Sequence, residues 1–335
     1  MRAAVLGQQG APLTVTDAPD PTPGEGEVVL SVDACGICGS DLHVADAFPM
    51  DGTILGHEFC GTVAEVGPGV EGWTVGKQAV GLSLATCGRC VACRTGRPRK
   101  CATARMIGME VPGAYAEHVA LPAHDLLALP ESLDARHGAL VEPLAVALHA
   151  VDRADLGVGE HAVVLGGGPV GAAVALWLRR LGAREVIVSD PVEHRRELAV
   201  AVGASATIDP TTQDVVGEVV ALTGAPPSVV IECVGVPGLL QHATDVTAVD
   251  GRVVVAGVCM AEDPLVPFVA MSKELDLRFA FYYRWDDFTT TIDLMARELL
   301  DPLALVTGEI GLDEVPERFE ALKHPTTDCK VLIHP

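Results

Sequence analysis

The sequence predicts an α/β protein in which a doubly wound parallel sheet is joined to a separate, mostly β domain. The chain has 335 residues, more than one hydrophobic core normally holds, so two domains are expected. Residues 1–145 are rich in Gly, Pro and short β-type runs such as 28–32 and 61–66. From about residue 160, short apolar runs alternate with helical patterns, which indicates a parallel sheet with helices on both faces.

The elements predicted for the second half follow a regular order along the chain. Apolar runs predict strands at 161–165, 185–189, 229–233, 252–258 and 275–283. Helical patterns lie at 169–181, 193–202, 288–300 and 315–322, and a closing strand lies at 330–333. The chain is therefore expected to form domains at 1–145 (with a lobe at 87–101), 146–283 and 284–335, the last returning to the first domain. The active site is expected in the cleft between the domains, beyond the carboxyl ends of the parallel strands.

Composition and charge limit the classes of partner. Hydrophobic residues make up 49% of the chain and charged residues 20%, which is typical of a folded globular protein. The formal net charge of -22 argues against nucleic acid and anionic membrane surfaces as partners. The apolar run at residues 1–7 is too short for a secretory leader, and no stretch reaches the roughly 20 apolar residues of a membrane span. A cytoplasmic location is expected.

A glycine-rich turn between a predicted strand and a predicted helix indicates a dinucleotide-binding site. Gly166 makes the tight turn, Gly168 lets the backbone approach a pyrophosphate, and Gly171 allows close packing of helix against strand. The helix that begins at Pro169 and Val170 offers free N–H groups and the positive end of its dipole to phosphate. The alternative is a glycine-rich turn that binds nothing.

An acidic residue at the end of the second strand favours NAD over NADP. Asp190 lies 24 residues after Gly166 (190 − 166), where its carboxylate can accept hydrogen bonds from the ribose hydroxyls and would repel a 2′-phosphate. Asp190 could also be a helix N-cap, because Pro191 follows it. Arg195 and Arg196 leave NADP open as a cofactor, and their other interpretation is a solvated helix face.

Four cysteines predict a structural zinc site. Cys87, Cys90, Cys93 and Cys101 have the short spacings of a tetrahedral thiolate shell that leaves no open position. Basic residues that would offset the negative charge of four thiolates surround them at Arg89, Arg94, Arg97, Arg99 and Lys100. Disulfides and buried free thiols are the alternatives, but two-residue spacings and a reducing compartment favour metal binding.

Three further segments carry residues of the types that bind metals. They are residues 35–43, residues 56–61 and an apolar run that contains Glu142. A lone Cys or His in such places is usually a core residue. A buried carboxylate without a partner is costly, which makes Glu142 informative.

The motifs occur in the order found in zinc-containing medium-chain dehydrogenases. Cys38-Gly-Ser-Asp-x-His43, Gly56-His57-Glu58, the four cysteines, Glu142-Pro-Leu and the glycine-rich turn together resemble that family over nearly the whole chain. Glu142 stands where liver-type alcohol dehydrogenases have a cysteine, and is more similar to the sorbitol, butanediol and threonine dehydrogenase branch. The resemblance implies a Rossmann cofactor domain, a GroES-like catalytic domain, two zinc ions per chain, and hydride transfer between an alcohol and NAD.

The resemblance also implies a role for each ligand-type residue. Cys38 and His57 are expected to bind the catalytic zinc, with Asp41 orienting the imidazole of His57. Glu58 and Glu142 are the carboxylates that bind it directly or through water, and the sequence leaves open which of the two does so. With one thiolate, one imidazole and one carboxylate, the ion keeps an open position for a substrate hydroxyl and acts as a Lewis acid.

A proton relay and two packed thiols complete the expected site. Ser40 is expected to take the substrate proton and His43 to pass it to solvent, with the cofactor ribose between them. The alternatives are a local turn hydrogen bond for Ser40 and a surface histidine for His43. Cys35 and Cys60 do not match ligand positions and are interpreted as packed thiols.

The segments expected around the substrate depart from the polyol-oxidising branch. Val44 stands where that branch commonly has Tyr, and residues 281–283 read Phe-Tyr-Tyr in place of Phe-Arg-Tyr. Because these changes remove hydrogen-bonding groups, a less polar secondary alcohol or its ketone is expected as substrate. Phe48, Tyr282 and Trp285 are candidates to line the pocket, or alternatively pack in a core or interface.

Other functions on the same scaffold are a polyol or threonine-type dehydrogenase, a zinc-independent reductase and a nucleotide-binding protein without activity. Cys38, His57 and Glu142 argue against the reductase, and a complete ligand set with a relay argues against the inactive binder. The resemblance further implies a homotetramer or homodimer, assembled through the edge of the cofactor-domain sheet.

Overall fold

The computed structural model of the chain describes residues 1–48, 50–324 and 327–335. Two compact units are present, one made of Met1–Glu142 with Arg284–Pro335 and the other of Pro143–Tyr283. Within the described residues, none of the helices combines the length and apolar character needed to cross a membrane.

Strands dominate the N-terminal part of the chain, and strands and helices alternate further on. The strands are β1 (Arg2–Val5), β2 (Thr14–Asp17), β3 (Glu27–Gly36), β4 (Glu58–Val66), β5 (Gln78–Gly81), β6 (Leu84–Ala85), β7 (Arg105–Met106), β8 (His118–Pro122), β9 (Leu126–Ala128), β10 (His161–Leu165), β11 (Glu185–Ser189), β12 (Ala206–Ile208), β13 (Val229–Glu232), β14 (Arg252–Val255), β15 (Asp276–Phe279), β16 (Val306–Gly311) and β17 (Lys330–His334). The helices are α1 (Gly39–Ala47), α2 (Val91–Arg94), α3 (Ala135–Ala154), α4 (Pro169–Arg180), α5 (Glu193–Ala201), α6 (Val215–Thr223), α7 (Leu239–Val246), α8 (Pro267–Ser272), α9 (Trp285–Ala296) and α10 (Val315–Leu322).

The unit of residues 143–283 is built on a parallel sheet, which confirms the predicted fold class. Its strand order is β12-β11-β10-β13-β14-β15, and each neighbouring pair is parallel. Strands β10 and β13 are almost entirely buried because helices cover both faces of such a sheet. The chain reverses its direction of travel across the sheet between β10 and β13, which is where open α/β sheets bind ligands.

The other unit is mostly antiparallel. Its main sheet has the order β16-β17-β3-β4-β5-β9, with β8 also paired to β3. Strand β3 lies between β4 and the C-terminal strand β17, so that Gly36 is opposite Glu58 on one side and Leu332 on the other. This register brings the last strand of the chain beside the residues that precede α1.

Several boundaries differ from those the sequence predicts. Strand β14 ends at Val255 and does not reach the predicted residue 258. Just beyond its end, a Cβ at Gly257 would meet the Glu232 side chain and the backbone of Gly235. Strand β15 is shorter than 275–283, because it ends at Phe279, which is opposite Val255, the last residue of its partner β14. Helix α9 begins at Trp285, before the predicted residue 288. Helix α3, which contains Pro143, is not among the helices predicted from the sequence.

Candidate functional site

Three ligand-type side chains converge at the ends of β3 and β4. Cys38 follows β3 and is the N-cap of α1, while His57 and Glu58 stand at the start of β4. Because β3 and β4 are antiparallel neighbours, the end of one lies beside the start of the other. One ligand atom from each of Cys38, His57 and Glu58 lies within 4.8 Å of the other two. A thiol, an imidazole and a carboxylate are the donor types that bind zinc in proteins, so this cluster fits a zinc ion.

Asp41 connects the two ligand-bearing segments. It is buried, its Oδ1 lies 3.2 Å from Nδ1 of His57, and its Oδ2 accepts a hydrogen bond of 3.1 Å from the N–H of Cys38. Burial by itself would raise the pKa of Asp41, but the charge and hydrogen bond of His57 lower it below its usual value. Asp41 therefore remains a carboxylate and fixes the plane of the imidazole, leaving Nε2 directed toward Ser40.

His57 carries a perturbed imidazole. Burial would lower the pKa of His57, but the adjacent Asp41 carboxylate and then Cys38 raise it well above its usual value. Because an imidazole must be neutral to bind a metal ion, metal binding at His57 should depend on pH.

Tyr115 is a member of this site that the sequence analysis missed. Its side chain is fully buried, and its hydroxyl donates a 2.7 Å hydrogen bond to Oδ2 of Asp41. Burial and the nearby carboxylate raise the pKa of Tyr115 well above its usual value, so the phenol keeps its proton. The available signal was a Tyr between two alanines, because a tyrosine hydroxyl that becomes buried among apolar residues needs a partner.

Lys330 is a second residue the sequence analysis missed. Its Nζ lies 2.6 Å and 2.8 Å from the two carboxylate oxygens of Glu58 and 3.1 Å from the carbonyl oxygen of Ile37. Both charged side chains are at most 3% exposed. Burial lowers the pKa of Lys330, but Glu58 more than offsets this and the pKa is raised. A lysine at the start of an apolar closing strand was the signal in the sequence.

Glu142 lies in α3 and is buried, but it is not a member of the compact group formed by Cys38, His57 and Glu58. Burial raises the pKa of Glu142 to about 7, against the opposing charge of His57 and a hydrogen bond to Ser83. The nearby Glu58 carboxylate adds to the rise. A cation beside Glu142 would favour the charged form of its carboxyl group.

The two residues predicted as a proton relay have different surroundings. Ser40 lies in α1, and its Oγ is 3.2 Å from Sγ of Cys38 and 3.5 Å from Nε2 of His57. His43 lies on the same helix three residues further on and is exposed. The structure therefore brings Ser40 to the ligand cluster and leaves His43 at the surface of its unit.

The remaining sequence-predicted residues of this region are dispersed. Cys35 and Cys60 are buried thiols, as expected, and Sγ of Cys60 donates to the carbonyl of Ala135. Phe48 is 41% exposed just after α1. Trp285, at the start of α9, lines a cavity of about 440 Å³ with residues of the cysteine lobe.

The four lobe cysteines form a second ligand cluster. Their sulfur atoms all lie within 4.8 Å of one another, with 3.4 Å between Cys90 and Cys93, and all four are free thiols rather than disulfides. Backbone N–H groups lower the pKa of Cys87, whereas burial raises the pKa of Cys93. Four adjacent sulfurs cannot all ionise without a cation, so the donor set fits a structural zinc ion.

A buried carboxylate supports the base of this lobe. Asp125 is 3% exposed and accepts hydrogen bonds from the N–H of Thr86, at 2.6 Å, and from its hydroxyl, at 2.7 Å. Thr86 directly precedes Cys87, so Asp125 fixes the backbone where the lobe begins. A second contact to the lobe comes from the N–H of Trp285, which donates a hydrogen bond to the carbonyl of Gly96.

The glycine-rich turn has the backbone that dinucleotide binding requires. Gly166 has a φ of 95°, and Gly168 is the N-cap of α4, which starts at Pro169 and continues through Val170. A Cβ at Gly171 would overlap the carbonyl of Gly166, so the helix approaches the strand this closely only with glycine there. The N–H groups of the first turn of α4 point out of the helix end, where a phosphate would be bound.

Asp190 follows β11 and is 2% exposed. Its two carboxylate oxygens accept hydrogen bonds from the N–H groups of Gly167, at 2.7 Å, and Val192, at 2.8 Å. The N-cap of α5 is Val192, so Asp190 does not occupy that position. Arg195 lies 3.7 Å from the carboxylate, and Arg196 donates to the carbonyl of Asp190. The carboxylate is therefore tied to the glycine-rich turn.

Two family models match the chain. The alcohol dehydrogenase GroES-like domain matches residues 24–131, and the zinc-binding dehydrogenase model matches residues 169–297. The chain is 36% identical to the 2-dehydro-3-deoxy-L-galactonate 5-dehydrogenase of Pseudoalteromonas atlantica, over 93% of this chain and 92% of that protein.

Solved structures of other dehydrogenases have the same fold as this chain. A zinc-binding dehydrogenase from Sinorhizobium meliloti 1021, with NADP bound, has a TM-score of 0.90 and 35% identity, covering 100% of this chain and 99% of the other. The 2R,3R-butanediol dehydrogenase of Bacillus subtilis has a TM-score of 0.90 and 32% identity, with the same coverage.

Proposed function

The chain belongs to the zinc-binding alcohol dehydrogenase family, and from that premise we propose that it transfers a hydride between a secondary alcohol and a nicotinamide cofactor. The observation that carries the proposal is the convergence of Cys38, His57 and Glu58, with ligand atoms within 4.8 Å of one another. A set of three side chains leaves a coordination position open, as catalytic zinc sites require.

Cys38 and His57 would hold the catalytic ion together with a carboxylate from Glu58 or Glu142. Bound zinc would supply Lewis acidity that lowers the pKa of a substrate hydroxyl. Glu58 is paired with Lys330, whereas burial raises the pKa of Glu142, so a nearby cation would stabilise the charged form of Glu142. Cys87, Cys90, Cys93 and Cys101 would hold a structural ion.

Neighbouring side chains would orient the ligands and move the proton. Asp41 holds Nδ1 of His57 and so keeps Nε2 available. Ser40, with its Oγ 3.2 Å from Sγ of Cys38, would accept the proton that leaves the substrate hydroxyl while it gives up its own hydroxyl proton to the ribose hydroxyl of the cofactor. His43, exposed on the same helix, would pass a proton on to water.

The cofactor is proposed to be NAD. Its pyrophosphate would lie at the N-terminus of α4, against the glycine-rich turn, and its adenosine ribose at Asp190. The Asp190 carboxylate is fixed by Gly167 and Val192, which supports a role in accepting ribose hydroxyls and repelling a 2′-phosphate. The relative from Sinorhizobium meliloti has NADP bound, and Arg195 beside Asp190 offers a cation for that phosphate, so both cofactors belong in the assay.

The substrate is proposed to be a secondary alcohol with oxygen on a neighbouring carbon. The names of the Pseudoalteromonas and Bacillus relatives describe substrates of that kind. Phe281-Tyr282-Tyr283 lacks the Arg of the polyol-oxidising branch, which favours a short diol or ketol over a long polyol such as sorbitol. Sorbitol and threonine are the alternatives to be tested.

The test is turnover of a substrate panel by zinc-replete protein with NAD and with NADP. Cys38→Ser should lose one of two bound zinc ions and its turnover while the lobe keeps its zinc, because the thiolate is a ligand of the open site only. Cys60→Ser, at a buried thiol bonded to Ala135, should keep both ions and full activity. Two ions and normal turnover in Cys38→Ser would contradict the assignment. Nucleotide binding without turnover of any alcohol or ketone would instead favour a binding protein.

The chain is further proposed to self-associate through the edge of its parallel sheet, as a homodimer or homotetramer. Strand β15 ends that sheet, and Phe279 and Phe281 are each 61% exposed beside it. The unpaired backbone groups of this edge strand, together with the exposed phenylalanines, favour pairing with a second copy. Phe279→Lys should give monomers in sedimentation measurements, whereas an unchanged oligomer would exclude this edge.

The free cysteines fit a reducing compartment such as the cytoplasm.

A further inference from the structure

Tyr115 lies outside every ligand motif and yet joins the two segments that carry the candidate catalytic ligands. Its hydroxyl donates to Oδ2 of Asp41 at 2.7 Å, and the same oxygen accepts from the N–H of Cys38. Oδ1 of Asp41 is thereby left for His57, at 3.2 Å. The Asp41 carboxylate thus has three partners. Two of them, the Cys38 N–H and the His57 ring, belong to residues that supply candidate ligand atoms, whereas the phenol of Tyr115 does not.

The backbone of Tyr115 is fixed to the segment that precedes His57. Its N–H donates to the carbonyl of Leu55 at 2.9 Å, and the N–H of Ala114 donates to the carbonyl of Gly56 at 2.9 Å. Gly56 has a φ of 98°, and a Cβ there would overlap the Tyr115 ring. The ring therefore fills the space that glycine leaves open, directly beside His57.

We propose that Tyr115 is a positioning residue of the catalytic zinc centre, which holds Asp41 so that the His57 imidazole is presented to the metal in a fixed orientation. The inference rests on the proposed function, because it concerns the ion that Cys38 and His57 would bind. Tyr115 is fully buried and acts through Asp41.

The hydroxyl matters more than the ring because Asp41 is buried. Without the phenol, Oδ2 retains only the Cys38 N–H, and the carboxylate can rotate to satisfy its lost hydrogen bond. A rotated carboxylate no longer fixes the plane of the His57 ring. Groups that hold a metal-binding imidazole in this way typically change metal affinity by about 10–100-fold when removed.

The test compares Tyr115→Phe, which keeps the ring, with Asp41→Asn and with the double variant. The matched control is Thr62→Val, which removes a hydroxyl that donates to Asp33 at 2.9 Å between β4 and β3. Zinc affinity is measured by competition with a chromogenic chelator, and cobalt substitution gives an absorption spectrum of the catalytic site. We expect Tyr115→Phe to bind the catalytic zinc about tenfold more weakly and to alter the cobalt spectrum, with no change in Thr62→Val.

The double variant separates positioning from general loss of stability. If Tyr115 acts through Asp41, adding Tyr115→Phe to Asp41→Asn should weaken zinc binding no further, whereas independent structural damage would add to it. Additive losses, or wild-type affinity and spectrum in Tyr115→Phe, would overturn the inference while leaving the proposed function intact. Unmodified protein that holds zinc only in the cysteine lobe would overturn both. If Tyr115→Phe does not fold, zinc affinity and the cobalt spectrum are compared in Tyr115→Met, alone and combined with Asp41→Asn.

Discussion

Replacing Lys330 by methionine removes the cation that faces Glu58 and keeps most of the apolar stem of the lysine. The two side chains are 3% and 2% exposed, and Nζ contacts both carboxylate oxygens at 2.6 Å and 2.8 Å. Lys330→Met therefore leaves a buried carboxylate without its partner, next to Glu142, whose pKa Glu58 already raises. We expect the free energy of unfolding to fall by about 3–5 kcal/mol, the usual result of removing one member of a buried ion pair.

The reciprocal change and the double variant isolate the pair. Glu58→Gln leaves the ammonium of Lys330 buried, with the carbonyl of Ile37 as a remaining acceptor. It should also be strongly destabilising. The Lys330→Met/Glu58→Gln variant buries no charge at this position, so its loss should be smaller than the sum of the two single losses, by about 2–3 kcal/mol.

The contribution of Lys330 should depend on pH in two ranges. Because the folded-state pKa of Lys330 is raised, its stabilising effect is fully present below the ordinary lysine pKa of about 10.4 and is lost as pH rises through the folded value. Lys330 also lowers the pKa of Glu142, which burial raises to about 7, so the difference in stability between the wild type and Lys330→Met should grow as pH rises through neutral. It should shrink only at strongly alkaline pH.

The assay is urea unfolding, followed by tryptophan fluorescence, of protein from which the catalytic ion has been removed, because an ion bound by Glu58 would itself be a partner for the carboxylate. The control is Lys323→Met, because Lys323 pairs at 2.8 Å with Asp46, which is 56% exposed, and at 2.9 Å with Glu320, which is 38% exposed. Exposed pairs of that kind contribute about 0–1 kcal/mol. The reasoning is refuted if Lys330→Met costs no more than Lys323→Met, or if the double variant shows the simple sum of the single losses.

Three other changes have definite expected results. Gly56→Ala should lower the free energy of unfolding in urea by roughly 2–5 kcal/mol, because Gly56 has a positive φ and a Cβ there would overlap Tyr115. Gly52→Ala is the control, since Gly52 has a φ of 80° but lies in open space, and it should lose only about 1–2 kcal/mol. Equal losses in the two variants would contradict the packing argument. Cys90→Ser should remove the lobe zinc, so a full metal content would show that the cluster does not bind it. Asp190→Ser should weaken NAD binding by about 1.5–3 kcal/mol, roughly ten- to a hundredfold in Kd, and favour NADP; unchanged NAD affinity in a fluorescence titration would exclude Asp190 from ribose binding.

The parts of this protein that could be predicted from sequence depend on short-range geometry. Strands at 161–165 and 185–189 and the helix at 315–322 have the predicted bounds, because their hydrophobic periodicity is local. The cysteine cluster was predictable for the same reason, since its four ligands lie within one short segment. The strand predicted over 275–283 was too long, because an apolar aromatic run does not reveal that its partner strand β14 ends at Val255, opposite Phe279.

The amino-acid sequence alone determined the fold class, the glycine-rich turn and the donor types of both ligand clusters, since each follows from residue chemistry at close spacing. Tertiary structure alone decided which buried groups surround those ligands. Lys330 and Glu58 are 272 residues apart and meet because β17, β3 and β4 pair in one register, while Tyr115 reaches Asp41 across 74 residues. Hydrogen-bonded register between distant strands leaves no periodic pattern in the chain, so these partners become visible only when the sheet is assembled.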